Sequence, residues 1–397
     1  MKVLISGGGI GGLTTALACL HYGHDVQIFE QATAMGAVGA GIQIPPNAMK
    51  IFQALGVEDK IRANAFQPEA IETRMGESGI TLFTIPLARQ AITRWGAPYL
   101  HIHRADYIAA LAECLTAAAP SALMMEAQAE SYTQDDNSIT LHLDDGRHFS
   151  GDVLIAADGI HSRLRHQMLG KDEARFTGNV AWRAVVPIDQ LGAFAPNPTA
   201  CAWMGAGRHA VTYRLRRGKL ANFVGVVERE DWTKESWNEP GAPADALQDF
   251  AQWHPTITRL LEAVNPDALF RWALFDRKPL PQWTHGRAAL LGDAAHPMLP
   301  FMAQGAAMAV EDAWAIAAEL SKPDANITDA LASYQRRRHA RTVMLQNASR
   351  ANAKTFHQRT TFGRLKTYGP MWLGGRFLPN LVHGRMDPIY GHDETSL

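Results

Sequence analysis

The period of apolar and polar positions changes along this chain, and the changes divide it. An apolar run at 3–6 gives way to GGGIGG, then to a helically spaced stretch, then to a second apolar run that stops at Glu30. Strand, glycine turn, helix and strand in that order make a βαβ unit. Alternating helix and strand return over 101–175, with a helix predicted at about 105–118 and the strand VLIAAD ending on Asp158-Gly159. Between Asn179 and Glu228 the runs VAWRAVVP, ACAWM, HAVTYRL and NFVGVVE read as strands, punctuated by Gly205, Gly207 and the turn RRGK at 216–219. That stretch predicts an antiparallel sheet inserted into the α/β unit. A last strand, RAALL, runs into GDAAHPMLP, and a helix is predicted from near Gln304 past Leu320. The stretch from Tyr368 to Leu381, rich in Gly, Pro and Trp, reads as an irregular tail packed over the body.

The expected fold is therefore α/β. It comprises a Rossmann-like dinucleotide domain with a mostly parallel sheet, an inserted antiparallel β-sheet domain for substrate, and a C-terminal helical tail. The first domain is discontinuous, at 1–72, 101–178 and 276–350; the second takes 73–100 and 179–275, and 351–397 forms a helical or irregular segment. The glycines of the opening unit divide the work between them. Gly7 makes the tight turn, Gly9 lets the backbone approach a pyrophosphate, and Gly12 allows close helix-to-strand packing. The helix N-terminus offers unpaired N–H groups to the phosphates. Glu30, 18 residues beyond Gly12, is placed to accept hydrogen bonds from an adenosine ribose, with Gln31 beside it.

Composition narrows the partners. With a net charge of −1 and no long charge run, nothing argues for nucleic acid. Cys19, Cys114 and Cys201 are too widely spaced for a disulfide framework or a metal site, so no metal is expected and a reducing cytoplasm is. The first core strand begins at once, which leaves no room for a cleavable leader, and no apolar run approaches the ~20 residues of a membrane helix.

Taken together, GGGIGG with Glu30, His103-Arg104 before a helix, Asp158-Gly159 after a strand, and Gly292-Asp293 in GDAAHPMLP resemble the single-component FAD-dependent aromatic hydroxylases of the para-hydroxybenzoate hydroxylase type. The resemblance covers nearly the whole chain in the same motif order. It is strongest toward the salicylate hydroxylase, 3-hydroxybenzoate 6-hydroxylase and 6-hydroxynicotinate 3-monooxygenase groups. It implies bound FAD, transient NADH or NADPH, and O2. Arg104 would contact the cofactor, Asp158 and Gly159 would lie near the pyrophosphate, and Gly292 and Asp293 would hold the ribityl and pyrophosphate region. The helix opening at Gly305-Ala306 has small residues that let a flat ring approach, and its N-terminus would stabilise negative charge on reduced flavin; the same small residues would equally serve helix-to-sheet packing.

In such enzymes a flavin C4a-hydroperoxide transfers oxygen to an electron-rich ring, so a small aromatic substrate is implied. In HAVTYRL the alternation puts His209, Val211 and Tyr213 on one face. The resemblance makes His209 the acceptor of a phenol proton, accompanied by Tyr213; a turn histidine and a core tyrosine are the alternatives. Cys201 resembles a pocket cysteine of the hydroxynicotinate group, with a small buried core thiol as the alternative reading. Gln43 and Phe301 stand where that group has histidines, and Pro300 stands near a glutamine of the 3-hydroxybenzoate enzymes, so neither pocket is reproduced. A larger apolar substrate (a quinone precursor, isoprenoid or polycycle) and a non-catalytic FAD redox sensor remain open, as do monomer and homodimer.

Overall fold

The computed structural model describes residues 1–36, 41–171, 174–229, 239–323 and 326–397. A six-stranded sheet carries the order Thr284–His285, Ala288–Leu290, Val153–Ala156, Lys2–Ser6, Asp25–Phe29, Leu123–Met124. Its neighbours are parallel except for the edge hairpin of the first two strands. Val153–Ala156 is buried at every position, as a strand covered on both faces must be, which is why it reads as an unbroken apolar run. The helices Ile10–His21 and Gly305–Leu320 pack on each other over this sheet. A Cβ at Gly11 would lie 2.9 Å from Leu291 and 3.3 Å from Ala309, so the small residues of both helices set that close approach.

The second sheet has eight strands, in the order Glu239–Pro240, Phe270–Asp276, Arg175–Pro187, Leu220–Glu228, Arg208–Leu215, Ala200–Gly205, Ala70–Met75, Thr81–Pro86. All pairs are antiparallel except Ala200–Gly205 with Ala70–Met75. One face buries Trp182, Trp203 and Phe223 against Phe250 and Trp253 from the segment of helices Pro243–Asp249 and Pro255–Glu262. The other face packs Ala181, Val226 and Trp272 on Leu299 and Phe301, in the loop before the helix Gly305–Leu320. The helix expected at 105–118 runs Arg104–Ala118.

The C-terminal tail is helical as expected, but within it the stretch Tyr368–Leu381 departs from the irregular reading. Thr361–Phe377 and Pro379–Gly384 are helices, the first with Pro370 inside it. Packing overrules propensity here. Tyr368 is buried against Leu82 and Met204, and its hydroxyl donates to the Phe356 carbonyl at 3.0 Å. A Cβ at Gly375 would sit 2.5 Å from that of Phe83, so this glycine serves contact with the strand Thr81–Pro86 rather than a loop.

The long helix Ile327–Phe356 carries Arg338, fully buried among three carboxylates. Its guanidinium reaches Glu311 at 2.7 Å, Asp312 at 2.9 Å and Glu394 at 2.7 Å. Glu311, His392 and Glu394 offer ligand atoms within 4.8 Å of one another, but Arg338 and Arg341 already supply the positive charge there, so the cluster is an ion-pair network. No helix of the described residues is long and apolar enough to cross a membrane.

Candidate active site

Four motifs far apart in sequence follow the ends of four neighbouring parallel strands. Gly292-Asp293 follows Ala288–Leu290, Asp158-Gly159 follows Val153–Ala156, the glycine turn follows Lys2–Ser6, and Glu30 follows Asp25–Phe29. Because the strands run the same way, all four motifs lie at one edge of the sheet, the edge where open α/β sheets bind ligands. Strand spacing of ~4.8 Å spreads them over roughly 15 Å.

The turn uses its glycines as the sequence pattern predicts. Gly7 has φ +99°, and a Cβ on it would lie 2.4 Å from the Ala157 carbonyl oxygen. A Cβ on Gly12 would lie 1.9 Å from the Gly7 carbonyl oxygen. Gly9, which caps the helix Ile10–His21, faces open space, with nothing among the described residues within 4 Å of where its Cβ would be. A cradle with room at a helix N-terminus fits a pyrophosphate. The Glu30 carboxylate accepts from the Gly8 N–H at 2.6 Å and the Ala32 N–H at 2.9 Å, which fixes it beside the turn with lone pairs to spare for a ribose. Gln31 is exposed just beyond it.

Asp158 carries a buried oxygen, Oδ1, without a hydrogen-bond partner among the described residues. Burial pushes its carboxyl above the usual range, against the Ser162 hydrogen bond. Asp293 is open to solvent yet crowded by protein, the situation of a group at the floor of a cleft. That crowding raises its pKa, while His296 and Arg104 pull it back. Its Oδ1 lies 3.9 Å from where a Cβ of Gly305 would be, so it stands at the opening of the helix Gly305–Leu320. Among the described residues the Gln304 side chain at the N-cap makes no capping hydrogen bond, which leaves the first N–H groups of that helix open to a ligand. Arg104, exposed at the start of Arg104–Ala118, faces the same cleft. His296 is buried on Asp312, which also accepts the Gly292 N–H at 3.2 Å, so the ion-pair network holds this motif.

An apolar cavity of about 500 Å³ opens beside the helix start, reaching Ala303. Gln43, Pro300 and Phe301 line it, as do Ala202, Met204 and Val211 from the second sheet. Gln43 accepts a hydrogen bond from the Tyr99 hydroxyl. His209 and Tyr213 share the sheet face of Val211 and are both buried. The His209 ring packs on Phe301 and Phe356, two walls of the cavity, at 5.1 and 5.0 Å between centroids. Tyr213 lies deeper, 4.7 Å from the His101 ring and so close to Gly41 that a Cβ there would meet its hydroxyl at 2.7 Å. The structure does not bring Cys201 to the cavity. It pairs with Thr212 on the opposite face and lies in the core with Trp203 and Trp253, because antiparallel register puts it one residue out of phase with Ala202.

Arg183 is the residue that sequence reasoning missed. It alternates with Trp182, which points into the Trp203 core, and so stands on the cleft side of the central strand Arg175–Pro187. No carboxylate of the described residues pairs with it. Its guanidinium stacks on Trp272 at 5.7 Å, and burial brings its pKa down to about 10, with Tyr213 and Arg104 near enough to act on it. The lone arginine of AWRAVV, flanked by apolar residues on a strand, was the available signal.

The profile of the FAD binding domain family matches residues 1–349. The chain is 36% identical over 356 residues to the 3-amino-4-hydroxybenzoate 2-monooxygenase PtmB3 of Streptomyces platensis, covering 90% of this chain and 88% of that protein. It is 38% identical over 315 residues to a 6-hydroxynicotinate 3-monooxygenase of Bordetella bronchiseptica, covering 79% and 80%. Among solved structures, Klebsiella pneumoniae HpxO complexed with FAD and uric acid superposes with a TM-score of 0.85 at 28% identity, covering 96% of this chain and 95% of that one.

Proposed function

This chain belongs to the FAD binding domain family and is an FAD-dependent aromatic monooxygenase, and from that premise we propose that its substrate is a small carboxylated phenol or hydroxypyridine. The observation that supports this most is the line of Asp293, Asp158, the glycine turn and Glu30 along one sheet edge, with the apolar cavity opening beside it. Both relatives are named for aromatic acids that carry a hydroxyl group.

Gly9 and the helix start behind it would hold the pyrophosphate, Glu30 the ribose, and Arg104, Asp158 and Asp293 the middle of the cofactor. When bound, FAD supplies hydride acceptance from NADH or NADPH and the activation of O2 for insertion of one oxygen into an electron-rich ring. The open N-terminus of Gly305–Leu320 favours negative charge placed against it. His209 accepts the phenol proton and so raises the electron density of the ring. Arg183 offers a positive charge to the substrate carboxylate, and Phe301, Met204 and Val211 exclude water. All strands of the six-stranded sheet fall within 1–72, 101–178 and 276–350, which supports a discontinuous FAD-binding domain there, with the strands Ala70–Met75 and Arg175–Pro187 crossing two of these bounds into the second sheet, and three unpaired cysteines fit a cytoplasmic location.

Replacing Asp293 with Ala is expected to weaken FAD about 10- to 100-fold, the scale of one lost charged hydrogen bond. Purified protein that stays fully yellow, with unchanged affinity on titration, would remove Asp293 from the cofactor site. In His209→Ala, flavin reduction should persist while ring hydroxylation falls roughly 100-fold below the phenol pKa and peroxide rises. Unchanged coupling across pH would return His209 to a packing role.

The substrate itself is tested by NADH and NADPH oxidation against salicylate, 3- and 4-hydroxybenzoate, 3-amino-4-hydroxybenzoate, 6-hydroxynicotinate and 2-aminobenzoate, with peroxide quantified. Stimulation with little peroxide identifies the substrate. A cavity of about 500 Å³ with mostly apolar walls also favours a second reading, a bulkier apolar ring system, and silence across the panel would move the proposal there. Absence of flavin reduction under every condition would instead favour a redox sensor.

A further inference from the structure

His209 is not an isolated histidine. Its Nδ1 lies 2.6 Å from Nε2 of His357, which follows the long helix Ile327–Phe356, and Nδ1 of His357 lies 3.0 Å from Oε1 of Glu228, the last residue of the strand Leu220–Glu228. Glu228 is exposed and faces a polar surface dip of about 430 Å³. Both histidines are buried, so the three side chains form a continuous polar line from behind the cavity walls Phe301 and Phe356 out to solvent. We propose that His209, His357 and Glu228 form a proton relay that carries the phenol proton of the bound substrate out to the surface. The proposal rests on the reading of His209 as the group that meets the phenol.

The tautomers fit. With protons on both Nδ1 atoms, His209 donates to His357 and His357 donates to the Glu228 carboxylate, which leaves His209 Nε2 as an acceptor, free of any hydrogen bond among the described residues. The substrate O–H bond then breaks and its proton passes to His209 Nε2. The Nδ1 proton of His209 moves to His357 Nε2, the Nδ1 proton of His357 moves to Glu228, and Glu228 releases a proton to water. The substrate is left as a phenolate. When the product leaves as a phenol, the same path runs inward and restores the starting tautomers.

A relay also resolves an electrostatic difficulty. Burial first, and then His357, holds the His209 pKa well below that of an ordinary histidine, so His209 cannot keep a proton near neutral pH. Burial lowers His357 as well, although Glu228 opposes it, and Arg359 and His357 hold Glu228 below the usual carboxylate range in spite of its partial desolvation at the protein surface. The resting relay is thus two neutral rings and a carboxylate, ready to receive one proton. The charged groups around its outer end are Arg359, bonded to Glu228 at 2.9 Å, with Arg208, Arg229 and Asp249 lining the dip.

The test reads phenolate formation without turnover. The oxidised, FAD-loaded protein is mixed in stopped flow with 4-nitrophenol, whose phenolate is coloured, below and above the pKa of the free phenol. In Glu228→Gln the phenolate should appear about 10-fold more slowly at low pH, with unchanged final amplitude, and at the wild-type rate at high pH, where the ligand arrives ionised. His357→Gln should behave alike, and Glu228→Asp should recover much of the rate. If both relay variants keep wild-type rates at low pH while His209→Ala loses the phenolate signal, the relay is overturned and the reading of His209 stands. If His209→Ala also behaves as wild type, or the wild type forms no bound phenolate, the reading itself fails. A loss of amplitude in Glu228→Gln that is equal at all pH values would show a merely structural contact and overturn the relay.

Discussion

Gly12→Ala is expected to give a protein that holds no flavin and that accumulates mostly unfolded. The added Cβ would sit 1.9 Å from the Gly7 carbonyl oxygen and 3.4 Å from Ile5. The first contact is backbone, so no rotamer relieves it, and the helix Ile10–His21 must move off the strand that positions it. Overpacking of side chains costs about 1–3 kcal/mol, and a collision with a carbonyl should reach or exceed the top of that range. Gly9→Ala provides the contrast. With nothing within 4 Å of its Cβ position, that variant should fold with a near wild-type thermal midpoint yet bind FAD weakly, because the methyl group occupies the space of the pyrophosphate. Thermal melts paired with flavin content separate the two. A stable, yellow Gly12→Ala protein would show that the turn is not packed as described.

Arg338→Met should be the most damaging change outside the cofactor cleft, destabilising by about 4 kcal/mol and lowering the thermal midpoint by roughly 10 °C. Glu311, Asp312 and Glu394 would keep Arg341, His296 and Arg337 but lose the cation they share. Burial alone would raise all three carboxyls. In the wild type they are instead held below the usual carboxylate range, Glu311 by Arg338 and Arg341, Asp312 by His296 and Arg338, and Glu394 by His392 and Arg338. Folded pKa values below the unfolded ones give stability that is present above about pH 4 and is lost as the pH falls through the folded values. In the variant each carboxyl loses one of the cations that hold it down, so its folded value moves up toward the raised value that burial favours and its charged form is less stabilised. The difference between the two proteins should therefore be widest near neutral pH, narrow as the pH falls through the variant's higher values, and close only below the wild type's folded values. Because Asp312 also holds the Gly292 N–H, flavin content should fall with stability. Equal melting curves at pH 7 would mean that the network is dispensable.

The cofactor half of this protein was legible in the sequence because its information is local. Strand, Gly7, Gly9, Gly12, helix and Glu30 lie within thirty contiguous residues, and each residue type answers a backbone or phosphate requirement that does not depend on the rest of the chain. The strands of the second sheet were legible for the same reason, since a period of two is a property of one segment, and it placed His209, Val211 and Tyr213 on one face. Only the tertiary structure decided which faces meet. Register between Ala200–Gly205 and Arg208–Leu215 turned Cys201 away from the cavity, and strand order brought Asp158 and Asp293 beside Gly7. Burial against the strand Thr81–Pro86 made a helix of a tail whose glycines and Pro370 argue for a loop. His357 reaches His209 across a sequence separation of 148 residues and Glu228 across 129, and Arg338 finds Glu394 at 56, separations over which no local pattern carries a signal. Propensity and periodicity act within a segment, whereas pairing, burial and charge neutralisation act between segments, and the reactive side of this molecule is built from the second kind.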